Sequence, residues 1–172
     1  MNTEERHWFA LYTRSRAEKK TCQALLDAGI EAFLPLSTKI KQWSDRKKKV
    51  QEPLIPSYVF VHSSEVLLVD SLKVQGVVGV LKHLGKPAIV KDHEIESLQI
   101  LTDAQQEIKT ISDYSFKKGD PITVVLGPFT GLKAEYIRYQ GDYRVLVNIA
   151  SMNSFFSVNI PLDFIETIQK QS

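Results

Sequence analysis

Four histidines (His7, His62, His83, His93) and one cysteine (Cys22) are the residues most able to hold a metal or attack a substrate. None of the histidines has a second His, Cys or carboxylate at the spacing of a zinc site. Cys22 falls on the apolar face of a helical stretch, where a thiol is inert packing rather than a nucleophile. Gly127-Pro128-Phe129-Thr130-Gly131-Leu132-Lys133 resembles a phosphate-binding loop only in outline. Its glycines are one residue too close and no Ser or Thr follows the lysine, so it reads as a turn between strands. No catalytic constellation, cofactor site or metal site is expected.

A second kind of chemistry is better represented. Arg6, Arg14, Arg16, Lys19, Lys20, Lys39, Lys41, Arg46, Lys47, Lys48 and Lys49 crowd the first fifty residues, although the whole chain of 172 residues carries a formal charge of only +2. Long cationic side chains suit phosphate contacts, and Trp43 inside the run could stack on an unpaired base. The alternative, a charge run that is only a solvated face, stays open.

The elements that would position these residues follow from periodicity. His7 to Thr13 (HWFALYT) has strand composition. A capping-box pattern, Ser15-Arg16-Ala17-Glu18, then opens a helix with Cys22, Leu25 and Leu26 on one face, and Gly29 is placed to end it. Ile30 to Leu36 reads as a strand, Ser37 to Glu52 as an extended loop or hairpin, and Ser57 to His62 as another strand. Ser64-Glu65 starts a short helix with Leu68 and Leu72 on one face, strand pieces surround a Gly85-Lys86-Pro87 turn, and Asp92 caps a helix with Ile95, Leu98 and Leu101 at helical spacing. This order predicts an α+β domain of split βαβ units.

Apolar periodicity fades near Gln105, which places a linker at 107–118 between a first domain at 1–106 and a second at 119–172. In the second, five short strand-like runs with a Gln140-Gly141-Asp142 hairpin signal predict a small closed barrel. Tyr143, Val145, Val147 and Ile149 would face inward and Arg144, Leu146 and Asn148 outward. With 43% hydrophobic and 24% charged residues the chain can bury a real core. The acidic start and the lack of a long apolar run predict a cytoplasmic protein, and the lone cysteine fits a reducing compartment.

Four segments, WFALYTRSRAEKK, EPLIPSYVFV, VVGVLKHLGKPAIV and GDPITVVLGPFTGLKAEYIRY, stand in an order and spacing that resembles the NusG family of transcription factors. The basic insertion and EPLIPSYVFV are closest to its specialised paralogues of the RfaH/UpxY type. The resemblance implies a ferredoxin-like NGN domain, an antiparallel sheet with helices, followed by a small SH3-like β-barrel KOW domain. It implies a monomeric, non-catalytic elongation and antitermination factor that needs no cofactor.

Its first domain would bind the RNA polymerase clamp through Trp8, Tyr12, Ile55, Pro56, Tyr58, Leu84, Ile95 and Leu98. Non-template DNA would meet Arg14, Arg16, Lys19, Lys20, Lys39, Lys41, Trp43, Arg46 and Lys47. The KOW domain would recruit a small-subunit ribosomal protein or the termination factor Rho. For Trp8, Ile95 and Leu98 a role in the domain's own core is an equal alternative, whereas the hydroxyls of Tyr12 and Tyr58 favour a wet or partnered edge.

Two features qualify the resemblance. Where RfaH carries a His-Thr-Thr-Thr element reaching across the polymerase cleft, this sequence has Leu67-Leu68-Val69-Asp70-Ser71, so that bridge is expected to be weaker or differently built. RfaH's barrel can refold as helices; here Pro128, Pro161 and β-rich composition predict a stable barrel. A ribosome-associated or general RNA-binding module is the competing reading, since small barrels with basic flanks also bind RNA.

Overall fold

The computed structural model describes residues 4–111, 119–139 and 142–168. In chain order the elements begin β1 (His7–Thr13), α1 (Glu18–Asp27), β2 (Ala32–Phe33), β3 (Leu36–Gln42), β4 (Lys47–Pro53) and β5 (Tyr58–Ser63). Next come α2 (Glu65–Ser71), β6 (Val77–Val80), β7 (Lys82–His83), β8 (Lys86–Pro87), β9 (Ile89–Val90) and α3 (Asp92–Asp103). Among the described residues that follow, the elements are two single turns of 3-10 helix and the strands β10 (Lys109–Thr110), β11 (Asp120–Val124), β12 (Lys133–Tyr139), β13 (Asp142–Ile149), β14 (Ser154–Val158) and β15 (Ile165–Thr167). The chain divides into two compact units, Met1–Leu36 with Glu52–Ile95, and Ser37–Gln51 with Glu96–Ser172.

In the first unit an antiparallel sheet runs β2-β5-β1-β6, with β9 also pairing β1. Alternation along β1 and β5 sends Phe9, Leu11, Val59 and Val61 to one face, where Leu25 of α1, Leu68 of α2 and Val80 complete a buried cluster. Helix α1 ends as its glycine dictates. Gly29 sits at φ 77°, its N–H reaches the Leu26 carbonyl, and Ile30 reaches back to Leu25, the paired bonds of a Schellman stop.

Its start departs from expectation. Ala17 is the N-cap and no side chain caps the helix; Glu18, 6% exposed, turns inward instead. Ser64 does cap α2, accepting from Leu67 N–H. Asp92 is the first residue of α3 rather than its cap, and Glu94 reaches back to the Lys91 N–H at 3.0 Å.

The second unit contains a six-stranded antiparallel sheet, β10-β14-β13-β12-β11-β15. All five expected strand runs are present as strands. A sixth, β10, lies within the stretch read as a linker and pairs with β14. It brings Ile111 over Leu146, with Ile137 and Phe155 alongside. Leu146, expected to face solvent, is therefore 1% exposed, between the equally buried Val145 and Val147. Tyr139 pairs with Asp142 across the β12–β13 hairpin, while Gln140 and Gly141 of the expected turn, like linker residues 112–118, lie outside the described residues. Among the described residues no helix is long and apolar enough to cross a membrane.

Candidate functional site

The sheet face opposite the α1–α2 core carries the even-numbered residues of β1 and β5. Their register sets Trp8 across from His62, Ala10 from Phe60 and Tyr12 from Tyr58. Ala10 and Phe60 are fully buried. At one end Trp8 stacks on His62 at 5.0 Å and 27°. His62 is held in turn by Glu31, whose Oε2 lies 2.9 Å from Nδ1, and Arg6 donates to the His62 carbonyl at 2.6 Å. Trp8 is thus partly buried in a braced stack.

The other end is open. Tyr12 is 37% exposed, and its ring lies 4.6 Å from that of Tyr58, tilted by 41°. Partial burial pushes the Tyr58 phenol well above its usual value, reinforced by a side-chain hydrogen bond with Tyr12 and by the repulsion a phenolate would meet beside that second phenol. Two adjacent phenols offer an apolar surface with a polar tip, the side-chain type enriched in interface anchors.

The entry into β5 is set by Glu18. Its Oε1 accepts from Ser57 N–H at 2.8 Å, and Thr13 N–H donates to the Ser57 carbonyl at 2.9 Å. Ser57 itself sits at φ 67°, a backbone state that costs energy in a non-glycine residue and needs such anchoring. Glu18 therefore positions Tyr58 beside Tyr12. A capping-box reading of its local spacing could not show this, because the partner lies 39 residues away.

Among the described residues Leu84 is the most exposed of the large apolar side chains, at 91%. It forms, with Gly85, the two-residue turn between the paired strands β7 and β8, one position earlier than expected. Leu84 has φ 51° and Gly85 φ 79°, the mirror-image turn that suits Asn-Gly. A leucine there costs about 1–2 kcal/mol of backbone strain with no burial in return.

Three expected contact residues are corrected. Ile55, Ile95 and Leu98 are 7%, 2% and 0% exposed, so their side chains are already covered and cannot be offered to a partner. In α3 the stripe Ile95, Leu98 and Leu101 is inward throughout. Pro56 is exposed just before Tyr58. Of the other expected contact residues, Tyr12, Pro56 and Leu84 are exposed and Tyr58 and Trp8 are half-buried.

Arg14, Arg16, Lys19 and Lys20 are all exposed between β1 and the first turn of α1. Cations at a helix N-terminus oppose its dipole, so Lys19 and Lys20 stand where helix stability disfavours them. Lys39, Lys41, Arg46 and Lys47 are exposed on the β3–β4 hairpin, with Trp43 at its tip 56% exposed; this hairpin belongs to the second unit. Sequence reasoning also missed the outward face of α2, where Val66, Leu67 and Val69 are 61%, 55% and 54% exposed.

Residues 6–99, more than half of the chain, match the family model described as NusG, transcription termination factor nusG. The chain belongs to the NusG family. The matched span holds the tyrosine pair, Leu84 and the basic hairpin. Over 176 aligned residues the chain is 24% identical to the transcription termination/antitermination protein NusG of Lactococcus lactis, covering 94% of this chain and 93% of that protein. It is 27% identical over 119 residues to the transcription elongation factor Spt5 of Acidianus ambivalens, covering 69% and 71%. The solved structure of Thermotoga maritima NusG, described for its domain interaction, is similar in fold with a TM-score of 0.53 and 21% identity, covering 96% of this chain and 98% of that one. The mixed α/β NGN fold followed by a β-rich KOW fold is thus the NusG architecture, and the family is one of transcription elongation and termination factors.

Proposed function

We propose that this NusG-family chain is a non-catalytic elongation and antitermination factor that docks on the RNA polymerase clamp through Tyr12 and Tyr58. The observation that supports this reading is the tyrosine pair, Tyr12 exposed and Tyr58 half-buried, on a sheet face whose neighbours Ala10 and Phe60 are fully buried. Pro56 and Leu84 add apolar contact, and Trp8 stiffens the sheet behind. Arg14, Arg16, Lys19 and Lys20 supply phosphate contacts for non-template DNA, as does the basic hairpin.

In this reading the NGN domain spans 1–106 and the KOW domain 119–172. The KOW domain recruits a further factor, a small-subunit ribosomal protein or Rho. In this reading the chain is a specialised paralogue of the RfaH/UpxY type rather than the housekeeping factor, a reading supported by the basic insertion and the EPLIPSYVFV segment, while Leu67-Leu68-Val69-Asp70-Ser71 in place of a His-Thr-Thr-Thr element makes its bridge across the cleft differently built.

Binding changes polymerase behaviour only by differential affinity. A factor that holds the productive state about 1.4 kcal/mol more tightly than the paused state shifts their ratio about tenfold. The test is single-round elongation by core polymerase on a template with a defined pause. Saturating protein is expected to shorten the pause several-fold, and an unchanged or lengthened pause would contradict antitermination activity.

A further inference from the structure

Register gathers polar side chains on one face of the β10-β14-β13 ladder in the second unit. Lys109 lies opposite Ser157 and Ser157 opposite Leu146, and residues directly opposite in antiparallel pairs share a face. Arg144 stands two residues from Leu146 and so returns to that face. Continuing the β13–β14 register one step past Val145 and Val158 sets Arg144 opposite Asn159, and its Nη1 donates to Asn159 Oδ1 in a long bond of 3.5 Å. Just before β10, Glu107 Oε1 comes within 3.9 Å of Lys109 Nζ.

Together with Gln106 these side chains line a cavity of about 180 Å³, half open to solvent. Arg144 is half-buried, and its Nε is sealed from water without a hydrogen-bond partner. A guanidinium donor left so is costly, because desolvation of a charged group is not repaid. The same planar fork fits two oxygens of one acceptor.

The lining also fixes the charge of what it takes. Arg144 and Lys109 against Glu107 leave one positive charge, which a monoanion matches and a phosphate monoester of about −2 exceeds. Lys109 is 52% exposed and turned to Glu107, so it belongs to the rim. Ser157 and Asn159 bring neutral donors and acceptors to the interior.

We infer that this cavity is a binding site for a carboxylate. Arg144 grips both oxygens through its fork, and the Asn159 amide and Ser157 hydroxyl donate alongside. A free small carboxylate and the C-terminus of a peptide present the same group, and the test separates these sources.

The measurement is proton–nitrogen correlation NMR of the full chain, following the Arg144 Nε–H signal. The probes are sodium acetate, succinate, inorganic phosphate, and trialanine with a free or an amidated C-terminus. At least one carboxylate is expected to shift the signal saturably, one ligand per chain, with a Kd of about 1 mM or below. Arg144→Lys keeps the charge and loses the fork, and should weaken binding about tenfold or more. Lys133→Gln removes an exposed cation of β12 that is not among the cavity's lining residues, and should change affinity less than about twofold. Should Arg144→Lys fail to fold, Asn159→Ala reads the same site, with an expected loss of about threefold.

Tight binding of free trialanine, with its amide silent and the small acids weak, assigns the peptide source; the reverse order assigns the free carboxylate. The inference is overturned if no carboxylate moves the signal saturably, if phosphate binds more tightly than every carboxylate, or if neither Arg144→Lys nor Asn159→Ala weakens binding. A loss in Lys133→Gln equal to that in Arg144→Lys also overturns it, since general charge attraction would then account for the effect.

Discussion

Tyr58→Ala is expected to weaken binding of the chain to core RNA polymerase about 30-fold or more, the loss of about 2 kcal/mol or more typical of an aromatic anchor. The substitution removes one of two rings 4.6 Å apart and leaves Phe60 and His62 on the same strand in place. Its effect on folding should be confined to the lost ring pair, about 1 kcal/mol. Tyr58→Phe separates ring from hydroxyl: it keeps the apolar surface and gives up only the hydrogen bond to Tyr12, so affinity should fall less than about fivefold. Titration of labelled protein with core polymerase reads both values. A Tyr58→Ala variant that binds like wild type would remove the tyrosine pair from the interface.

Ile95→Ala should behave in the opposite way. Its side chain is 2% exposed, so truncation opens a cavity and costs about 3 kcal/mol of folding stability, within the usual range of about 2–5 kcal/mol for such a change. Urea unfolding followed by circular dichroism measures that loss. At a temperature where the variant is fully folded, its affinity for polymerase should match wild type within about twofold. Unchanged stability with impaired binding would return Ile95 to the docking surface.

The contrast between these residues shows what sequence patterning could and could not supply. The periodicity of Ile95, Leu98 and Leu101 correctly marked an apolar helical stripe. It could not say whether that stripe is covered, because cover comes from distant segments. The same limit explains Leu146: strict alternation along β13 put it outside, and Ile111, from the stretch read as a linker, closes over it. A two-residue strand such as β10 is too short to leave a pattern at all.

Glu18 is the clearest case of a local signal overridden. Its spacing from Ser15 fits a capping box, yet its carboxylate is used to fix Ser57 and so the start of β5. Tyr12 and Tyr58, by contrast, were legible as a candidate pair because a phenol is a costly side chain to seal away from every partner. Only the cross-strand register placed them side by side. The hairpin was legible as a basic loop, whereas its pairing as two strands is shown by the backbone bonds that pin its ends, Trp43 N–H to the Arg46 carbonyl and Leu54 N–H to the Pro35 carbonyl.

The most direct measurement of the docking claim is photo-crosslinking from position 12. Benzoylphenylalanine replaces Tyr12 with another aromatic at a site already 37% exposed, and a control carries it at exposed Gln23 on α1, the helix packed on the opposite sheet face. Irradiation with core polymerase is expected to give a covalent adduct between position 12 and the subunit that carries the clamp, and none from position 23. An adduct from position 23 with none from position 12 would contradict docking through the tyrosine face.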